Sequence, residues 1–126
     1  MTDERRRTGA RAEDLACRSL QARGYKILER NVRAPFGEID LVAQDGNTLV
    51  FVEVRSASSA RFGAPQESVT QAKQTRLTRL AQWYLVTRRL SGRAARFDVV
   101  AVVFAPDGES ARVDVIRDAF EGKGAF

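Results

Sequence analysis

Three features of this 126-residue sequence predict an α/β fold, with a mixed central sheet flanked by helices on both faces. Residues 37–55 read as two strands joined by a tight turn at Asp45-Gly46-Asn47. Val99 to Ala105 is an unbroken apolar run of the kind a buried strand carries. Two further stretches, one ending at Gly24 and one beginning near Gln66, repeat their apolar residues at helical spacing. The resulting order is helix, three antiparallel strands, helix, strand. The length suits one domain over residues 1–126.

In chain order, residues 1–7 are polar and carry the run Arg5-Arg6-Arg7, so they are expected to fray. The first helix is predicted to start at Thr8 as N-cap and to stop at Gly24. Its apolar side is Ala12, Leu15, Ala16, Cys17 and Leu20. Glu13 and Asp14 sit near its start, where the helix dipole favours acids. Cys17 is the single cysteine and reads as a small buried apolar residue. Tyr25 to Arg33 forms a first strand with Ile27 inward and Lys26, Arg30 and Arg33 at polar positions. Pro35-Phe36-Gly37 then turns the chain into the hairpin.

The hairpin carries acids where a strand would ordinarily be apolar. With Gly46 and Asn47 as the central turn residues, Asp40 falls opposite Glu53 and Glu38 opposite Arg55. A turn centred on Asp45-Gly46 shifts the pairing by two and keeps the same face, whereas an odd loop length scatters the group. In either even register three carboxylates and one guanidinium converge, with opposed Cβ atoms ~5 Å apart. Val50, Val52 and Val54 make the other face of the second strand, and Leu49 and Phe51 lie beneath the acids. Like charges side by side destabilise a sheet, so a divalent cation, Arg55 or solvent must compensate them. Asp40 and Glu53 read as site residues, and Glu38 as a salt-bridge partner of Arg55.

After Arg55 a small-residue loop is expected from Ser56 to Gly63, followed by Ala64-Pro65. The second helix begins at about Gln66 or Ser68 and ends at about Arg88. Val69, Ala72, Leu77, Leu80, Ala81, Tyr84 and Leu85 form its apolar stripe, and Lys73, Arg76, Arg79 and Arg88 its basic flank. Gly92 breaks the chain, and Asp98, just before the buried strand, reads as a cap or an arginine partner. Val113 to Ile116 is an edge strand after the Pro106-Asp107-Gly108 turn, and Phe120 is a docking residue in the tail.

The net charge is +5 and the pI near 10.1, with 21 basic residues of which only Lys26, Lys73 and Lys123 are lysines. An acidic hairpin, residues 34–55, lies between two basic segments in the sequence. That layout suits a protein that holds a metal on carboxylates while gripping a polyanion. No apolar run approaches the ~18 residues that span a bilayer, and the charged N-terminus lacks an apolar region after it. A cytoplasmic protein with no membrane partner is therefore the expectation.

The element order, together with Gly37-Glu38-Ile39-Asp40 and Phe51-Val52-Glu53-Val54-Arg55, resembles the YraN-like family of small bacterial proteins. That family lies in the restriction-endonuclease-like (PD-(D/E)xK) superfamily, which includes archaeal Holliday-junction resolvases. The likeness also covers Gly9 to Ala16, Asn31, Phe62-Gly63, Lys73 with its Arg-rich helix, Arg96-Phe97-Asp98 and Ala119-Phe120. It implies a restriction-endonuclease-like αβββαβ core and a Mg²⁺- or Mn²⁺-dependent endonuclease acting on DNA, branched or structured DNA included.

By the same resemblance Asp40 matches the first metal-binding aspartate, Glu53 the second acid, and Glu13 a helix acid that helps orient metal or water. Arg55 stands where the signature usually places lysine. Arginine stays protonated and cannot be a general base, although it can stabilise transition-state charge. Lys73 is the residue that could substitute for the missing lysine. Ala57 occupies a position where the family often has another basic residue. Arg11, Arg61, Lys73, Arg76 and Arg79 are the expected nucleic-acid contacts, and a homodimer is expected by analogy with the resolvases. The alternative is a nuclease fold that binds nucleic acid with catalysis weakened or lost at Arg55.

Overall fold

Helix α1 (Thr2–Ala22) closes as its sequence dictates. Gly24 takes φ +92°, the Tyr25 N–H donates to the Leu20 carbonyl at 3.0 Å, and the Gly24 N–H donates to that of Gln21 at 2.9 Å. These are the two bonds of a glycine-terminated helix, and they tuck Tyr25 and Leu20 into one apolar cluster. The start differs from expectation. The computed structural model describes residues 2–58 and 69–121, and in it the helix reaches back to Thr2, leaving Thr8 inside. Arginine is a good helix former and neither Pro nor Gly stands between Thr2 and Thr8.

Strands β1 (Lys26–Ala34), β2 (Gly37–Asp45), β3 (Thr48–Ser58), β4 (Ala95–Phe104) and β5 (Ala111–Phe120) form one five-stranded sheet in that order. β3 and β4 are parallel and the other pairs antiparallel. A parallel pair needs a crossover, which α2 (Gln71–Thr87) supplies. The sheet is thus mixed, with a helix on each face.

α1 covers Leu41, Ala43, Val50, Val52, Val100 and Val102, while α2 covers Val42, Leu49, Phe51, Phe97 and Val99. β3 lies at the centre and is apolar on both faces, as its alternation predicts. Each fully buried Val, Leu or Phe contributes about 1.5–3 kcal/mol.

Several boundaries move, β4 among them, which begins at Ala95 and not at Val99. β3 continues to Ser58 instead of giving way to a loop at Ser56, because β4 offers a ladder partner at every step to Phe104. α2 begins at Gln71, with the Thr70 hydroxyl accepting the Lys73 N–H at 3.2 Å. Val69 is therefore buried ahead of the helix, and Ala72 is exposed instead of joining the stripe. Residues 59–68, among them Arg61, Phe62-Gly63, Pro65 and the expected helix start at Gln66 or Ser68, lie outside the described residues. β5 is longer than Val113–Ile116, and Phe120 docks by stacking on Phe97 with ring centroids 4.6 Å apart.

A polar cluster is buried with α1. Asp98, 1% exposed, lies inside β4 and not before it. It accepts bonds from Tyr25 Oη at 2.8 Å, Arg96 Nε at 3.0 Å and the Asp118 N–H at 2.9 Å. Arg96 also donates to Asp45 at 2.9 Å. The arginine partnership expected for Asp98 is present, and it bolts together Tyr25 just after α1, the hairpin turn and the Phe97–Phe120 end of the β4–β5 pair.

Candidate functional site

The hairpin turns on Gly46, φ +61°, and Asn47, and its ladder runs from Asp45–Thr48 to Leu41–Val52. This is the register that the Gly46-Asn47 turn predicts. It stops one residue short of the acids. At Asp40 the side chain takes over from the main chain, and Oδ2 accepts the Val54 N–H at 2.9 Å. From there β2 stays paired with β1, Glu38 opposite Arg33, while β3 stays paired with β4. The sheet forks, and the carboxylates gather in the fork.

Glu13 reaches this place from α1. Carboxylate oxygens of Glu13, Glu38 and Asp40 lie within 4.8 Å of one another, the first and last residues half-buried and Glu38 exposed. Glu53 enters from the other side of Asp40. Burial, followed by repulsion from Glu53, pushes the Asp40 carboxyl up to about 7; Glu13 adds a smaller push and the Val54 N–H opposes it. A carboxyl held there exchanges its proton near neutrality.

Glu53 is buried and compensated. Its Oε2 lies 2.5 Å from Lys73 Nζ and 4.0 Å from Arg55 Nη1. Lys73 comes from the first turn of α2, so the fork joins acids from α1 and the hairpin to a lysine from the crossover helix. Glu38 does not pair with Arg55 as expected. Because β2 has parted from β3, its carboxylate faces Arg33 across the β1–β2 ladder, 3.8 Å away.

The expected nucleic-acid contacts divide into two places. Arg76 and Arg79 are exposed on α2 while Lys73 is half-buried against Glu53, and the Arg79 guanidinium lies 5.5 Å from the Phe36 ring. Arg11 is on α1, bonded to the carbonyls of Gly108 and Glu109 and set over Phe104, so the β4–β5 turn holds it. Arg88 leaves the basic flank altogether. It forms a two-pronged pair with Glu29, at 3.1 Å and 2.9 Å, and Glu29 also accepts Tyr84 Oη at 2.6 Å. Arg88 and then Tyr84 hold the Glu29 carboxyl below its usual range.

Sequence reasoning placed Glu38 among converging carboxylates but gave it to Arg55, and so did not foresee it as a member of the trio with Glu13 and Asp40. It also could not foresee that Asp98 ties Tyr25 to Arg96. An arginine partner for Asp98 was expected; the tyrosine was not. No helix among the described residues is long and apolar enough to cross a membrane.

Comparison with known proteins agrees with the likeness first visible in the hairpin motifs. A family model described as "Uncharacterised protein family UPF0102" matches residues 12–102. A UPF0102 protein of Moorella thermoacetica is 53% identical over 120 residues, covering 95% of this chain and 100% of the relative. One from Syntrophus aciditrophicus is 50% identical over 115 residues, covering 91% and 89%. Another, from Syntrophotalea carbinolica, is 44% identical over 124 residues, covering 98% and 99%. The matched span contains the forked hairpin, Glu13, Lys73 and the Arg96–Asp98 pair, so the chain belongs to the UPF0102, or YraN-like, family.

Proposed function

We propose that this chain is a metal-dependent nuclease that hydrolyses phosphodiester bonds in DNA, with branched or structured DNA among its substrates and a restriction-endonuclease-like core as its frame. The observation that carries this reading is the crowding of Glu13, Glu38 and Asp40 within 4.8 Å. Their nearest cations stand at the margin of ion pairing, Arg30 at 3.7 Å from Glu13 and Arg33 at 3.8 Å from Glu38. Among the described residues no cation pairs with Asp40.

The donor set fits a hard divalent cation. Three carboxylates, one of them open to water, suit Mg²⁺ or Mn²⁺, which prefer oxygen ligands and keep part of their hydration. Glu13, Glu38 and Asp40 would hold the ion, with Glu53 behind Asp40. When bound, such an ion supplies Lewis-acid polarisation of a phosphoryl oxygen and neutralises charge there.

The remaining work falls to the chain. Glu53 holds the Lys73 ammonium beside the acids, where it can stabilise charge on the reacting phosphate and hand a proton to the departing oxygen. Arg55 donates hydrogen bonds to phosphate oxygens but exchanges no proton. Asp40, near its own titration point, would give up its proton in holding the ion.

The test is a cleavage panel of junction, flap, single-stranded and duplex DNA with Mg²⁺ and Mn²⁺, comparing wild type with Asp40→Ala. Calorimetry measures metal binding in parallel. Metal binding and cleavage that both vanish in Asp40→Ala support the reading; no cleavage of any substrate with either metal rejects it. A second reading, nucleic-acid binding without cleavage, is favoured by Glu53 being already neutralised by Lys73 and Arg55. It expects salt-sensitive binding that survives Asp40→Ala.

A further inference from the structure

The tip of the β1–β2 hairpin carries an aromatic ring into solvent. Phe36 is 44% exposed, in a chain whose other phenylalanines among the described residues are buried or packed against the two cores. One side of the ring meets the Arg79 guanidinium at 5.5 Å. The tip also lies against α2, where a Cβ on Gly37 would stand 3.3 Å from the Leu80 side chain, so the glycine permits the close approach. Phe36 is thus held by its neighbours in the chain and left open on the ring.

The position of this ring relative to the acids gives it meaning. Phe36 precedes Asp40 by four residues of extended chain, roughly 13 Å. On α2, Lys73, Arg76 and Arg79 follow one another at three-residue intervals, a slanted row that turns about 60° around the helix at each step. Lys73 touches Glu53 at one end of this row, and Arg79 touches Phe36 at the other. The row spans about 9 Å of helix. Three cations leading from a carboxylate cluster to an exposed aromatic ring match the backbone and base of an unpaired strand: phosphates along the cations, a base on the ring.

We infer that Phe36, backed by Arg79, is a stacking platform for an unpaired nucleobase, and that Lys73, Arg76 and Arg79 guide the single strand between it and the fork. This inference rests on the nuclease reading for the role of the acids, and it assigns that site a substrate with a single-stranded segment. A duplex keeps its bases stacked on each other and has no face to offer the ring.

The test measures binding of the full chain in EDTA, so that no cleavage is needed. Fluorescent oligothymidylate, oligouridylate and a blunt duplex are compared by anisotropy. Phe36→Ala should weaken single-strand binding by roughly ten- to a hundredfold and change duplex binding less than about twofold. Phe36→Trp should bind single strands at least as tightly as wild type, and Phe36→Leu, which keeps apolar bulk without a π-face, should follow Phe36→Ala. The thymidylate and uridylate arms distinguish DNA from RNA as the source of the base.

A Phe36→Ala protein that binds single strands like wild type overturns the platform, as does a Phe36→Leu protein that binds like Phe36→Trp. Duplex cleavage with Mg²⁺ in the presence of either result leaves the nuclease reading standing. Conversely, the expected binding pattern without cleavage by any metal keeps the platform and removes the nuclease.

Discussion

Lys73 Nζ lies 2.5 Å from Glu53 Oε2, a pair formed between the first turn of the crossover helix and the central strand. It places a lysine beside the acid whose own strand supplies only Arg55. The two cations therefore make different predictions. Lys73→Met should lower metal-dependent cleavage by roughly a hundredfold or more, the scale of losing one transition-state donor. Arg55→Lys should change it by less than about tenfold, since arginine there has only to donate. Single-turnover rates on one substrate decide this; a large gain in Arg55→Lys would instead make Arg55 a handicap that Lys73 does not offset.

Asp40 makes the metal-free protein sensitive to pH in a direction opposite to that of an ion-paired carboxylate. Its folded value, about 7, lies above the ordinary value of 3.8. Stability from this group is complete below pH ~4, where both states are protonated, and is lost as pH rises through 7. The loss is on the order of 4 kcal/mol, each pKa unit being about 1.4 kcal/mol. Asp40→Asn should accordingly raise the metal-free melting temperature at pH 8 by several degrees and leave it nearly unchanged at pH 4. Thermal melts at the two pH values check this.

Mg²⁺ should reverse that ranking. A ligand that binds only the folded state stabilises it in proportion to the logarithm of its concentration. Wild type should gain melting temperature with added Mg²⁺ or Mn²⁺. Asp40→Asn should gain little, and Glu13→Gln and Glu38→Gln should show intermediate responses. Equal gains in all four proteins would detach the trio from metal binding.

Asp98→Ala should destabilise the fold by about 3–5 kcal/mol, because Tyr25 Oη, Arg96 and the Asp118 N–H all lose a buried acceptor. Urea titration reads the loss. The effect on metal affinity should be small, since Asp98 and the α1-side network are separate from the fork.

What could be read from the sequence was whatever depends on local chemistry. The Gly46-Asn47 turn set the hairpin register, Gly24 ended α1, and the alternation of Val50, Val52 and Val54 against Leu49 and Phe51 assigned both faces of β3. Features decided by distant partners were hidden. Thr8 resembles an N-cap but is interior, and Ser56 to Ser58 look like loop but find Val102 to Phe104 alongside them. Glu38 could be placed on the face of Arg55, yet its partner is Arg33, because nothing in the hairpin alone shows that Asp40 ends the ladder. The convergence of Glu13 and Lys73 on the fork needed both helices to be docked.

The fork between β2 and β3 also bears on how the protein matures. Its acids and lysine come from α1, the hairpin and α2, so the hairpin on its own would have the carboxylates without their neighbours. A folding chain could pair β2 with β3 early, through a local turn, yet the complete site arises only after the crossover helix has packed and β4 has joined β3. On the nuclease reading, cleavage competence would then arrive last.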